Sequence, residues 1–140
     1  MKFDLAIIGA GPGGTDAAEH AAARGLKVVI FEKNKLGGVC LNEGCIPTKT
    51  LLHSAHLLAE AREGRKYGLS IPEAELELSK VMARKGKILK KLSAGIRMNL
   101  QNLGVEIVTE EAHLTGRSGD AYQIQAGEAT YEAAHVILAT

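Results

Sequence analysis

The chain has 140 residues, a hydrophobic fraction of 46%, a charged fraction of 24% and a formal net charge of +1. This length fits one domain with its own core, and the composition excludes a disordered or fibrous chain. No apolar run predicts a membrane span, and near-balanced charge with 4% aromatic residues does not favour nucleic-acid binding. Because the sequence enters an apolar strand directly, without a signal-peptide pattern, we expect a cytoplasmic location.

The first 32 residues predict a βαβ unit. Phe3–Ile8 reads as a buried strand, Thr15–Arg24 as a helix ended by Gly25, and Leu26–Phe31 as a second strand. A Gly-x-Gly-x-x-Gly turn joins the first strand to the helix, and Glu32 follows the second strand. This order of strand, glycine turn, helix, strand and acid is typical of a dinucleotide site.

Each residue of this turn has a physical role in such a site. Gly9 permits a tight turn, Gly11 lets a pyrophosphate approach the backbone, and Gly14 allows close packing of helix on strand. The helix N-terminus offers N–H groups and partial positive charge to phosphates. Glu32 is placed to accept hydrogen bonds from a ribose diol. The motif alone leaves FAD and NAD as alternatives.

The only two cysteines, Cys40 and Cys45, are separated by four intervening residues within the block Gly37–Lys49. A disulfide between them would close a very short loop with little entropic gain, so redox cycling is favoured over stapling. Three alternatives stay open: a zinc site with His53 and His56, whose spacing is unusual for zinc, a structural disulfide, and two ordinary buried thiols. Gly44 and Pro47 favour a helix start near Cys45, where an N-terminus would stabilise a thiolate.

The remaining sequence predicts two helices and further strands. Helices are expected at Leu51–Arg62 and about Glu73–Leu103, separated by a turn over Gly64–Pro72. We interpret the basic cluster Arg84-Lys85-Lys87-Lys90-Lys91 as a solvated helix face and not a nucleic-acid site. The strands expected after the second helix are Gly104–Val108 in the parallel sheet, a small antiparallel meander of Ala112–Gly116, Tyr122–Gln125 and Ala129–Tyr131, and a return strand His135–Leu138.

The cysteine block carries a family resemblance. Gly37-Gly38-Val39-Cys40-Leu41-Asn42-Glu43-Gly44-Cys45-Ile46-Pro47-Thr48-Lys49 resembles the active-site signature of the flavoprotein disulfide reductases, and within them is most similar to the dihydrolipoyl dehydrogenase family. The resemblance extends from the glycine turn to the terminal Val136-Ile137-Leu138-Ala139-Thr140. It implies an α/β fold: a Rossmann-like FAD-binding domain with a central parallel sheet, helices and a small antiparallel meander. Residues 1–140 would be the N-terminal part of that domain, with the NAD-binding and dimerisation domains absent.

The resemblance also implies roles for individual residues. Cys40 would be the thiol that exchanges with substrate, Cys45 the thiol against the flavin, and Lys49 a positive charge near the flavin's reactive nitrogen. The backbone near Ala112 would contact the adenine, and Glu110 stands where relatives commonly have glycine. The full set of expected FAD-binding residues is Gly9, Gly11, Pro12, Gly13, Gly14, Glu32, Lys33, Gly38, Val39, Cys40, Cys45, Lys49, Ala112, Ala139 and Thr140.

The implied reaction is oxidation of dihydrolipoamide, with electrons passing through a Cys40–Cys45 disulfide to FAD and then to NAD. The implied partners are dihydrolipoamide or a lipoyl-carrying protein and, in the full-length enzyme, a second copy of the chain. No metal, nucleic acid or membrane is expected. The alternatives are another reductase of the group, acting on glutathione or mercuric ion, and a non-catalytic nucleotide-binding fragment. The chain alone is expected to be inactive.

Overall fold

A computed structural model describes residues 2–140 and is built around one six-stranded sheet. Besides the helices and strands, the chain has a short 3-10 turn at Gly64–Tyr67. The elements in chain order are β1 (Lys2–Ile8), α1 (Pro12–Ala22), β2 (Val28–Phe31), α2 (Gly38–Asn42), α3 (Cys45–Glu63), α4 (Leu78–Asn102), β3 (Glu106–Val108), β4 (Ala112–Ser118), β5 (Ala121–Ala126) and β6 (Ala129–Leu138).

The sheet has the strand order β3-β2-β1-β6-β5-β4. The first four of these strands are parallel, with Ile7 opposite Ile30 on one side and Ile137 on the other. β5 is antiparallel to both β4 and β6. The predicted parallel sheet and antiparallel meander are therefore both present, and the Rossmann-like α/β class is confirmed.

The core lies on both faces of the sheet, and β2 shows why. Its four residues are all buried and alternate between two hydrophobic clusters. Val28 and Ile30 pack with Ala18 of α1 and Leu100 of α4, whereas Val29 and Phe31 pack with residues of β5 and β6. A continuous apolar run is what a parallel strand covered on both faces requires.

The second cluster joins the meander to the parallel strands through aromatic contacts. The ring of Tyr131 meets Phe31 edge-on at a centroid distance of 5.0 Å and lies 6.2 Å from Phe3. Ile124 of β5 is fully buried beside them. Burial, followed by the charges of Glu106 and Glu110, raises the pKa of the Tyr131 hydroxyl.

Two predictions about the secondary structure were wrong, one about where a helix begins and one about the number of strands. The last helix begins at Leu78, not Glu73, because Glu73-Ala74-Glu75-Leu76-Glu77 alternates charged and apolar residues and so gives a helix no apolar face. The strands expected at Ala129–Tyr131 and His135–Leu138 are one strand, β6. No glycine or proline interrupts that segment, and it pairs with β5 at its start and with β1 over most of its length.

Other expectations needed smaller adjustments. Helix α3 begins at Cys45, as the Gly44 and Pro47 positions indicate, and includes the helix expected over Leu51–Arg62. The five-residue helix α2 was not predicted, because two glycines precede or open it. Among residues 2–140, no helix combines the length and the apolar character needed to cross a bilayer.

Candidate nucleotide and disulfide site

A cleft of about 830 Å³ opens at the carboxyl ends of β1 and β2. Ligands of open α/β sheets bind at this edge of the strands, and the volume is that of a cofactor or ligand pocket. The cleft is lined by Ile8, Gly9, Gly11, Pro12, Gly13, Phe31, Glu32, Lys33, Asn34, Lys35, Gly38, Val39, Cys40, Asn42, Glu43, Glu110, Glu111, Ala112, Ala139 and Thr140.

The glycine turn between β1 and α1 shapes the floor of the cleft. Gly9 has a φ of +104°, and a Cβ there would overlap the carbonyl of Ala139. A Cβ on Gly14 would overlap the carbonyl oxygen of Gly9 and lie 3.4 Å from Cγ2 of Ile7 on β1. Gly11, in contrast, has open space where a Cβ would stand. The turn thus packs tightly on the protein side and stays open on the cleft side.

The N-terminus of α1 lies at this cleft, which Gly11, Pro12 and Gly13 line. Gly11 is the N-cap and no side chain caps the helix. Pro12 has no N–H to leave unpaired, and the N–H groups of Gly13 and Gly14 lie in the first turn, where helix geometry provides no partner. A helix start with uncapped donors and partial positive charge is suited to an anion such as phosphate.

Glu32 connects the end of β2 to the glycine turn. Its Oε2 accepts a hydrogen bond from the N–H of Ala10 at 3.0 Å, and its Oε1 accepts one from the N–H of Asn34 at 2.8 Å. The side chain is half-buried and lines the cleft. A carboxylate oxygen can accept more than one hydrogen bond, so these contacts leave capacity for a ligand hydroxyl.

The two cysteines form a disulfide between α2 and α3, with their Cα atoms 4.7 Å apart. The loop between them is held by the N–H of Gly44, which donates to the carbonyl of Val39 at 2.7 Å. Cys40 is half-buried and lines the cleft, whereas Cys45 opens α3 and is exposed. The pair therefore joins the wall of the cleft to the molecular surface.

Asn42 fixes the cysteine segment, a role that the sequence analysis did not identify. Its Nδ2 donates to the carbonyl oxygens of Leu36 at 3.1 Å and Gly38 at 2.8 Å. Gly38 itself has a φ of +60°, and a Cβ there would stand 2.8 Å from the Cα of Gly11. The backbone of the cysteine block thus lies directly against the glycine turn. No spacing pattern in the sequence signals the Asn42 contacts.

An ion pair crosses the rim of the cleft. The Nζ of Lys33 donates to Oε1 of Glu111 at 2.9 Å. This hydrogen bond, and then the opposite charge, raises the pKa of Lys33 and lowers the pKa of Glu111. Both side chains are exposed, so the pair is weak in energy, but it links the loop after β2 to the loop after β3.

Most residues predicted for the site line one cleft, although they come from five separate segments. Three predicted residues stand apart from that lining: Gly14 packs beneath the turn, Cys45 is bonded to Cys40 outside it, and Lys49 is exposed on α3. Ala112 does line the cleft, beside Glu110. Over residues 2–140 no group of three or more His, Cys, Asp or Glu side chains is arranged to hold a metal ion.

The fold and the site define a nucleotide-binding α/β domain with a disulfide at one end of its cleft. A family model described as pyridine nucleotide-disulphide oxidoreductase matches residues 3–140. The chain belongs to that family.

The chain is also similar to individual members of this family. The chain is 44% identical over 140 residues to a dihydrolipoyl dehydrogenase of Chlorobaculum parvum and 40% identical over 139 residues to one of Zymomonas mobilis, matching 99% of the chain in each case. It spans about 30% of the length of these relatives. The crystal structure of LpdA from Mycobacterium tuberculosis superposes with a TM-score of 0.84 at 25% identity, covering 96% of the chain and 31% of LpdA.

Proposed function

We propose that residues 1–140 form the first part of the FAD-binding domain of a dihydrolipoyl dehydrogenase. The observation that carries the proposal is the Cys40–Cys45 disulfide, whose first cysteine lines a cleft built on a dinucleotide-binding turn. The names and identities of the relatives support this substrate over other members of the family. We place the complete protein in the cytoplasm.

The residues of the cleft fit FAD. The N–H groups of Gly13 and Gly14 would hold the pyrophosphate, which can approach because Gly11 leaves open space. Glu32 would accept hydrogen bonds from the ribose, with Lys33 and Ala112 at the adenine end. Gly38, Val39 and the two cysteines would lie toward the flavin, with Ala139 and Thr140 against the cofactor and Lys49 near its reactive nitrogen. Bound flavin supplies an acceptor for two electrons from a dithiol.

The chemistry assigned to the chain itself is thiol–disulfide exchange. A substrate thiolate attacks Sγ of Cys40, a mixed disulfide forms, and Cys45 leaves as a thiolate. The second substrate thiol, after losing its proton, attacks the substrate sulfur of the mixed disulfide and releases Cys40. The substrate is thereby oxidised to a disulfide, the cysteine pair is reduced by two electrons, and two protons are released. The helix N-terminus at Cys45 favours the thiolate that leaves in the first step.

The remaining functions belong to parts of the protein outside residues 1–140. We assign to them the NAD site that receives the electrons, and the dimerisation domain that brings two copies together. The substrate is dihydrolipoamide, free or attached to a lipoyl-carrying protein. Residues 1–140 alone therefore should not turn over.

The test replaces each cysteine in the complete protein. Cys40→Ser and Cys45→Ser should each reduce NAD-dependent oxidation of dihydrolipoamide to background, because a serine hydroxyl cannot form the disulfide. Thr48→Ser on the same helix is the matched control, since Thr48 is exposed and has no assigned role. Retention of full lipoamide activity in either cysteine variant contradicts the proposal.

A spectroscopic measurement separates the two thiols. In the oxidised protein the flavin absorbance should be that of a simple flavoprotein, and anaerobic dithiothreitol should add a long-wavelength band when a thiolate lies against the flavin. Cys40→Ser should show that band without a reductant, because Cys45 is then a free thiol, whereas Cys45→Ser should not show it. The reverse pattern contradicts the assignment of the two roles.

A further inference from the structure

Helix α4 concentrates the positive charge of the chain. It has seven of the 17 lysines and arginines and no acidic residue, whereas the rest of the chain has ten lysines and arginines against 16 aspartates and glutamates. The helix is therefore strongly basic within a chain of net charge +1. Such a separation of charge creates a local positive field that the overall charge does not reveal.

Six of these cations share one side of the helix. Lys80, Arg84, Lys87, Lys90, Lys91 and Arg97, called here the basic face, span about 140° of the circumference at 3.6 residues per turn. All six are exposed. The opposite side contains Ile96 and Leu100, which pack on the core. Within residues 2–140, Lys87, Lys90 and Lys91 form no ion pair, and the only acidic partner of the face is Glu77, bound to Lys80.

The basic face contacts the helix that holds Cys45 through one residue, Arg84. Nη1 of Arg84 donates to the carbonyl oxygen of Thr50 on α3 at 3.3 Å, and Thr50 is about 8 Å along that helix from Cys45 at 1.5 Å per residue. Further along α4, Ile96 and Leu100 join a core cluster that includes Leu36, just before α2. Lys87, Lys90 and Lys91 lie between Arg84 and Ile96 along α4, on the side of the helix that faces away from the core. The field of these cations extends over about 10 Å at 0.1 M salt, and Arg84 brings it to the helix that begins at Cys45.

We propose that the basic face attracts an acidic segment of a partner protein that carries a dithiol beside its acidic residues. The attraction steers this dithiol toward the Cys40–Cys45 disulfide. This inference rests on the proposed function. Charge complementarity selects the partner: lysines and arginines without local acidic partners attract carboxylates and increase association rates. Helix α4 has no aromatic residue on which a base could stack, which favours an acidic protein over single-stranded nucleic acid.

The test uses two dihydrolipoyl-lysine peptides that differ only in charge, one flanked by four glutamates and one by four glutamines. At low ionic strength the complete wild-type protein should use the glutamate peptide with roughly tenfold higher kcat/KM. The variant K87E/K90E/K91E should lose or reverse this preference while its kcat with free dihydrolipoamide stays unchanged. Added salt should reduce the wild-type preference.

A charge-matched control separates the local field from total charge. R24E/K66E/R117E reverses three exposed cations on other elements and should keep the preference. If charge reversal prevents folding, K87Q/K90Q/K91Q provides the same comparison with half the charge change. Absence of a glutamate preference in the wild type, or its equal loss in the control, overturns the proposal. Binding of a DNA oligonucleotide, or self-association, that depends on these lysines without any peptide preference also overturns it. If the wild type and every variant fail to oxidise free dihydrolipoamide, the result instead refutes the proposed function.

Discussion

Glu32 and Ala10 are joined by a hydrogen bond of 3.0 Å from the N–H of Ala10 to the carboxylate, although they are 22 residues apart. The carbonyl of Ala10 in turn accepts the N–H of Gly37 at 2.8 Å. One residue of the glycine turn therefore connects the acid at the end of β2 to the segment that leads into the disulfide. The nucleotide half and the redox half of the site share this backbone position.

Replacement of Glu32 by glutamine should loosen the glycine turn. The carboxylate accepts two backbone N–H groups through different oxygens, whereas an amide offers only one oxygen. One donor loses its partner, at a cost of about 1 kcal/mol because the side chain is only half-buried. We expect a lower urea midpoint and weaker FAD binding. Glu43→Gln, in an exposed residue of the same cleft, is the control and should change neither; equal behaviour of the two variants would contradict the role of Glu32.

Gly38→Ala should destabilise the contact between the cysteine block and the glycine turn. Its φ of +60° disfavours a side chain, and the added Cβ would lie 2.8 Å from the Cα of Gly11. The left-handed conformation alone costs about 1–2 kcal/mol, and the backbone of Gly11 would have to move. FAD affinity and the urea midpoint should both fall.

The matched control for that variant is Gly86→Ala on α4. Gly86 is helical and exposed, with open space for a Cβ. Alanine there should stabilise the protein by about 0.5–1 kcal/mol, because glycine is the poorer helix former. Denaturant unfolding measures both changes, and a Gly38→Ala protein as stable as the wild type would show that the two segments do not pack as described.

The ion pair between Lys33 and Glu111 predicts a pH dependence. The hydrogen bond from Lys33 lowers the pKa of Glu111, so the contribution of Glu111 is present above its unfolded-state pKa and is lost as the pH falls through its lower folded-state pKa. The pKa of Lys33 is raised by the same bond, so its contribution is lost as the pH rises through that higher value. Between these limits the pair is intact.

Lys33→Met should move the titration of the Glu111 carboxylate to higher pH, as followed by NMR of the labelled side chain. Lys35→Met, in a neighbouring exposed lysine of the cleft, should leave that titration in place. High salt should also raise the pKa of Glu111 in the wild type, because both groups are exposed. If the pKa of Glu111 is the same in the Lys33→Met variant as in the wild type, the pair is not formed in solution.

Ile124→Ala should test whether the meander and the parallel strands form one folding unit. Ile124 is fully buried among Phe31, Tyr131 and Ala133, so the truncation should cost about 2–5 kcal/mol. Leu114 on the adjacent β4 is 45% exposed, and Leu114→Ala should cost much less. A single unfolding transition with a lower midpoint is expected for Ile124→Ala; separate transitions for the meander and the rest would contradict a shared core.

The amino-acid sequence by itself determined the local chemistry of this protein. The glycine turn, the acid after β2 and the start of α3 at Cys45 depend on backbone conformations and short-range spacing that residue types specify directly. The parallel and antiparallel parts of the sheet also follow from apolar runs and turn residues. The family was indicated by the resemblance of the block Gly37–Lys49 to a known active-site signature, and the comparison of residues 3–140 shows that family.

Tertiary structure alone decided the contacts between segments distant in the sequence. The packing of Gly38 on Gly11, the Lys33–Glu111 pair and the joining of the meander to β1 through β6 depend on how separate elements meet. The prediction from local propensity placed the start of α4 too early, because the alternating charged and apolar residues before Leu78 give a helix no apolar face. It also missed α2, because glycines precede and open that helix. The direction of a side chain and the pairing of distant strands are fixed only when the elements pack together in the core. Before that, the same short segment is compatible with several neighbouring segments.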